Sequence, residues 1–69
     1  MEEAERLNIL LTHWIEHNES HIKSYRQWAS RLKDGKLDEV ALKIEEAADI
    51  ILTANKRIEE AKEIVHKTH

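Results

Sequence analysis

A chain of 69 residues forms one small domain, because its core can only just offset the entropy lost when the chain is ordered. It contains no cysteine, which excludes disulfides and thiolate metal sites. Its formal charge of −3 comes from 11 basic and 14 acidic residues with no basic block, which argues against nucleic acid as a partner.

The sequence gives no sign of membrane insertion or export. No apolar run approaches the roughly 20 residues that a membrane-spanning helix needs. The first residues, Met-Glu-Glu, lack the basic start and apolar core of a signal peptide. We therefore expect a cytoplasmic protein that has no membrane contact.

The first half of the chain has the pattern of one long helix. Bulky residues recur at alternating steps of three and four, as they do in a helix that packs along one seam. The predicted seam of this helix is Ala4, Leu7, Leu11, Trp14, Asn18, His21, Tyr25, Trp28 and Leu32. We predict helix over about 2–33. A break near Ser20, which would give a three-helix bundle, is the alternative.

The middle of the chain predicts a single turn at 34–36. Gly35 is the only glycine, and glycine suits the left-handed conformation that ends many helices. The basic Lys33 before it and the acidic Asp38 after it have the charges that helix dipoles favour at these two ends.

The second half of the chain continues the same pattern and predicts a second helix over about 37–67. Folding the chain at Gly35 places Asn18 opposite Ile51 and Trp14 opposite Ala54, so that bulky residues meet small ones. We therefore predict an all-α fold, an antiparallel two-helix hairpin spanning 1–69. The predicted seam of the second helix is Leu37, Val40, Ile44, Ala47, Ile51, Ala54, Ile58, Ala61 and Val65.

The predicted seam leaves a second apolar stripe beside it on both helices. Stripes of this kind usually bury against a partner. We expect a second copy to cover the stripe, so that two hairpins form a homodimeric four-helix bundle. A monomer and a groove filled by a helix of a partner protein are the alternatives. The stripe consists of Ile15, Ile22, Ala29, Ala41 and Ala48.

Three histidines, His13, His17 and His21, follow one another at steps of four. Adjacent members of such a series can share one metal ion, and imidazole suits zinc and nickel. The predicted seam separates them, because it contains His21, leaves His17 on its flank and turns His13 outward. We favour the structural interpretation: His21 is buried, it is hydrogen-bonded to Asn18 or a backbone carbonyl, and no cofactor is bound.

The stretch HWIEHNESH, followed by YRQWA and later by EEAADIILTAN, resembles a group of short uncharacterised helical domains of anaerobic bacteria and archaea. Those domains share His-Trp-x-x-His-Asn-x-x-His, a downstream aromatic residue, a central glycine and a later Ala-Asn pair. The resemblance implies that the histidine block is the feature to test, and it implies no activity. The matching positions are His13, Trp14, His17, Asn18, His21, Tyr25, Gly35, Ala54 and Asn55.

No catalytic arrangement is apparent in the sequence. It has no glycine-rich phosphate loop, no thiol and no serine in a nucleophile-elbow context, so we expect that the protein is not an enzyme. We predict a non-catalytic protein-interaction or assembly module. A histidine-based module that binds a transition metal is the alternative function.

Overall fold

The computed structural model describes residues 2–33 and 35–68. It contains two helices, α1 (Glu2–Lys33) and α2 (Asp38–Thr68), which pack against each other. The predicted all-α hairpin is confirmed. Because α1 runs without interruption through Ser20, the three-helix alternative is wrong.

Both helices have the charge distribution that their dipoles favour. Acidic residues occupy the first turn of each helix, and basic residues occupy the last. The resulting hairpin is a rod whose principal extents are 53 × 14 × 11 Å. Its radius of gyration is 15.8 Å, whereas a compact domain of this length has a radius of about 11 Å. Over the described residues, neither helix contains a segment long and apolar enough to cross a membrane.

The core is one layer of side chains between the two helices, and half of it is alanine. Trp14, Trp28 and Val40, which the sequence pattern placed in the seam, are instead 44%, 53% and 46% exposed. At these three heptad positions, the residue in the seam is the next one along the helix. The buried residues are Leu11, Ile22, Ala29, Ala41, Ala48 and Asn55.

Side-chain size explains why the seam shifts by one residue. The predicted stripe and the observed one have the same heptad spacing, so periodicity alone does not distinguish them. The observed stripe has alanines at 29, 41 and 48, where the two backbones can approach closely. Trp14 and Trp28 in the seam would hold the helices apart.

This shift corrects the role predicted for the stripe made of Ile15, Ile22, Ala29, Ala41 and Ala48. These residues lie between the two helices of one chain. The three alanines have no exposed surface, and Ile22 is buried with them. Side chains without exposed surface have none left to offer a second copy.

Two asparagines align the helices along their length. The Asn18 amide Nδ2 donates to Asn55 Oδ1 at 2.8 Å, and Asn55 Nδ2 donates to the Ile15 backbone carbonyl at 3.0 Å. Asn55 is only 4% exposed, so its amide depends on these two bonds. The predicted alignment of Asn18 with Ile51 is therefore wrong by about one helical turn.

The turn uses Gly35 in an ordinary conformation. Its φ is not positive, contrary to the left-handed conformation predicted for it, and its N–H donates to the Leu32 carbonyl at 3.2 Å. The Ala41 N–H donates to the Leu37 carbonyl at 2.9 Å, which starts the hydrogen-bonding pattern of α2. Position 34 of the predicted turn lies outside the described residues.

The alignment by asparagine predicts that Asn55→Ala destabilises the hairpin by about 1–3 kcal/mol, because Asn18 loses its buried acceptor. The double variant Asn18→Leu, Asn55→Leu should recover most of this loss, since it leaves no polar group unpaired. Urea unfolding at one fixed chain concentration, followed by circular dichroism, measures both. A midpoint for Asn55→Ala equal to that of the wild type would contradict the assignment.

The turn geometry predicts that Gly35→Ala raises stability by about 0.4–1 kcal/mol, because alanine restricts the unfolded chain and fits the native backbone. A Cβ at this position would lie 3.8 Å from the Leu32 carbonyl oxygen, an ordinary contact. The same urea titration tests this, and a clear loss of stability would show that the turn needs a left-handed residue.

Candidate functional site

Large exposed hydrophobic residues collect on one side of the hairpin. On each helix, the residues that immediately precede the buried heptad positions lie along one flank of the seam. Because the two helices are antiparallel, the flank of α1 and the flank of α2 lie side by side on the same side of the hairpin. Seven of the eleven exposed large hydrophobic side chains among the described residues lie on this side. We call them the apolar face: Leu7, Leu10, Trp14, Trp28, Val40, Ile50 and Ile64.

The opposite side of the hairpin is charged. Arg26 pairs with Asp49 at 3.1 Å, and Lys33 pairs with Glu45 at 2.5 Å, so both ion pairs join α1 to α2. Exposed pairs of this kind contribute only about 0–1 kcal/mol each. Their position is more informative than their energy. Both ion pairs lie on the side opposite the apolar face, so the apolar face is the side suited to hydrophobic association.

The two helices contribute residues of different size to the apolar face. Bulky Trp14 and Trp28 come from α1, whereas beside the seam α2 has the small residues Ala54 and Ala61, with Ile50 and Ile64 further out. The Arg31 guanidinium lies 5.1 Å from the centre of the Trp28 ring, a cation–π contact that covers part of this side chain. Beside the seam, the α1 half of the face therefore projects, while the α2 half is shallow at its alanines.

The histidines form a ladder that winds around α1 toward the seam. Ring centroids are 6.2 Å apart between His13 and His17, which stack, and 4.5 Å apart between His17 and His21, which are perpendicular. The His21 ring lies 5.9 Å from the ring of Tyr25, which is partly buried. Each step of four residues rotates the next histidine around α1 toward the seam. All three histidines nevertheless remain exposed.

His21 is not the buried seam residue that the sequence pattern predicted. Its Nε2 lies 3.0 Å from the Nε2 of His17, while Asn18 bonds to Asn55. The one-residue shift of the seam causes this difference, because it buries Ile22 in the place assigned to His21.

Of the three candidate metal ligands, the structure brings His17 and His21 together. His13 stacks on His17 at a longer distance between ring centroids, 6.2 Å against 4.5 Å for His17 and His21. Within the described part of the chain, no group of three or more histidine, cysteine or carboxylate residues is placed to hold one ion. One chain thus supplies two adjacent nitrogens at this point.

Sequence reasoning missed Asn55 as a buried residue of the seam. The presence of Asn18 in the predicted seam could have indicated it. A second asparagine on α2 at a position that fits the heptad pattern is a natural hydrogen-bond partner for Asn18. Periodicity assigned Ala54 to the seam instead, and only the hydrogen bonds show which of the two neighbours points inward.

Comparison with known families now adds one finding. A model of a domain of unknown function, DUF8180, matches residues 7–65. The chain belongs to the DUF8180 family. The match includes most of both helices, the histidine ladder and the asparagine pair. No curated protein and no solved structure matches the chain. Membership of DUF8180 is consistent with a short uncharacterised domain and assigns no activity.

Proposed function

We propose that the protein is a non-catalytic assembly module in which two copies of the hairpin associate through the apolar face into a four-helix bundle. The observation that supports this is the collection of seven of eleven exposed large hydrophobic side chains of the described residues on one side. Exposed apolar side chains that collect on one side mark interaction sites in soluble proteins.

The accessible surface of the chain supports association. The hairpin exposes 5671 Å², whereas a compact monomer of 8.1 kDa exposes about 4500 Å². The excess of about 1200 Å² exceeds the roughly 800 Å² that each partner loses in a standard interface. Covering one face of the rod would therefore bring the exposed surface per chain near that of an ordinary folded domain.

A second copy fits the apolar face because the face is self-complementary. The two asparagines set the position of α1 along α2. At this position Trp14 lies at a height along the rod between Ala54 and Ala61. Trp28 lies at a height between Val40 and Ala47. A second copy is generated by a half-turn about an axis that runs parallel to the rod above the apolar face. This places α2 of the second copy over α1 of the first at the same height along the rod. Each tryptophan then enters a shallow region of the other copy, as interdigitating helices require.

The charges near the apolar face do not call for a partner of opposite sign. Lys43 pairs with Glu46 at 3.2 Å on its own helix, and Arg57 pairs with Glu60 at 2.6 Å. Arg31 lies over Trp28. Since these basic groups already have partners within the chain, the hydrophobic side chains determine which kind of partner the apolar face binds.

Two matched leucine variants test the assembly. Leu10 on the apolar face is 45% exposed, and Leu52 on the charged side is 40% exposed. We expect wild-type protein to sediment near twice the chain mass of 8.1 kDa and Leu10→Glu near one chain mass, because each unpaired charge buried in the interface costs several kcal/mol. Leu52→Glu should remain dimeric.

Sedimentation equilibrium over a range of concentrations gives the answer. A wild type that stays at one chain mass even at millimolar concentration removes the proposal and leaves the two alternatives, a monomer and a groove filled by a helix of a partner protein. Equal dissociation by Leu10→Glu and Leu52→Glu would also contradict it, because association would then not use the apolar face. Circular dichroism of both variants checks that the helices are retained.

A further inference from the structure

We infer that His17 and His21 chelate a divalent transition-metal ion that has two adjacent coordination positions open. Both ligands come from one helix of one chain. The inference therefore goes beyond the proposed assembly and does not depend on it.

The distance between the two imidazoles is already that of a chelate. Their Nε2 atoms are 3.0 Å apart. Metal–nitrogen bonds of about 2.0–2.1 Å with an angle between 90° and the tetrahedral value need nitrogens about 2.8–3.4 Å apart. An ion can therefore bind both rings after small side-chain rotations, and α1 does not have to bend.

Stability of the fold does not account for this arrangement. Both side chains are exposed, and their mutual hydrogen bond competes with hydrogen bonds to water. An exposed bond of this kind adds little to the free energy of unfolding. The hydrogen bonds of the asparagine pair, which join α1 to α2, involve neither histidine.

The ligand set selects the class of ion. Imidazole nitrogen suits Cu²⁺, Ni²⁺ and Zn²⁺, and Cu²⁺ binds most tightly in this series. Because the described residues add no third protein ligand, the other coordination positions belong to water or to a small chelator that the ion carries. The pair thus suits an ion that is already partly coordinated.

Binding requires only a local change of protonation. In the hairpin, one Nε2–H donates to the other Nε2. To bind the ion, that ring moves its proton from Nε2 to Nδ1 through solvent, and both imidazoles stay neutral. In acidic solution protons compete with the metal for the nitrogens, so binding should be lost there.

The test uses the full chain and Cu²⁺–iminodiacetate, in which the chelator leaves room for two imidazoles. We expect one complex per chain by calorimetric titration and an electron paramagnetic resonance spectrum that shows two imidazole nitrogens. His17→Ala and His21→Ala should each weaken binding at least about tenfold, because the second ligand no longer binds at high effective concentration. His13→Ala is the matched control, and its affinity should equal that of the wild type.

Three outcomes would overturn the inference: a wild-type spectrum with one imidazole nitrogen, unchanged affinity in His17→Ala, or an equal loss in His13→Ala. His17→Gln and His21→Gln repeat the test with polar side chains, and circular dichroism checks their helicity. The Leu10→Glu variant separates this inference from the assembly proposal. At a concentration at which the wild type is monomeric, Leu10→Glu should bind the copper complex as well as wild type does, because both imidazoles then lie on the surface of one chain.

Discussion

The hydrogen bonds that run from Asn18 through Asn55 to the Ile15 carbonyl are the constraint on which the rest of the structure depends. A buried amide without partners would cost about 1–3 kcal/mol, a large amount for a hairpin with so small a core. Sliding one helix by a turn would break both bonds at once. The asparagine pair therefore selects one alignment among several that the apolar side chains tolerate, a role that buried asparagine also has in coiled coils.

The choice of seam determines which residues remain at the surface. With alanines at 29, 41 and 48 in the seam, the helices approach closely, and Trp14 and Trp28 turn outward. The same rotation of α1 brings His21 out beside His17. The apolar face and the histidine pair thus have one common cause, the choice of a small-residue seam.

The two proposals concern neighbouring parts of one surface. His21 lies on the flank of α1 that also contains Trp14 and Trp28, and His17 lies one turn before it. The proposed assembly uses the hydrophobic side chains of that flank, while the proposed chelate uses nitrogens that apolar contacts do not need. By thermodynamic linkage, any effect of a bound ion on association would be matched by an equal effect of association on ion affinity.

The sequence by itself determined the all-α class, the single turn near Gly35 and the antiparallel hairpin, because heptad periodicity and helix-end charges are local properties. It also singled out the histidines, whose spacing of four is visible without a structure. The tertiary structure alone decided which of two equally periodic stripes is buried, since that depends on how closely the backbones approach at alanines. It also decided that Asn55 rather than Ile51 lies opposite Asn18. The physical reason is that satisfying a buried amide requires atoms from both helices, so no pattern within one helix determines it.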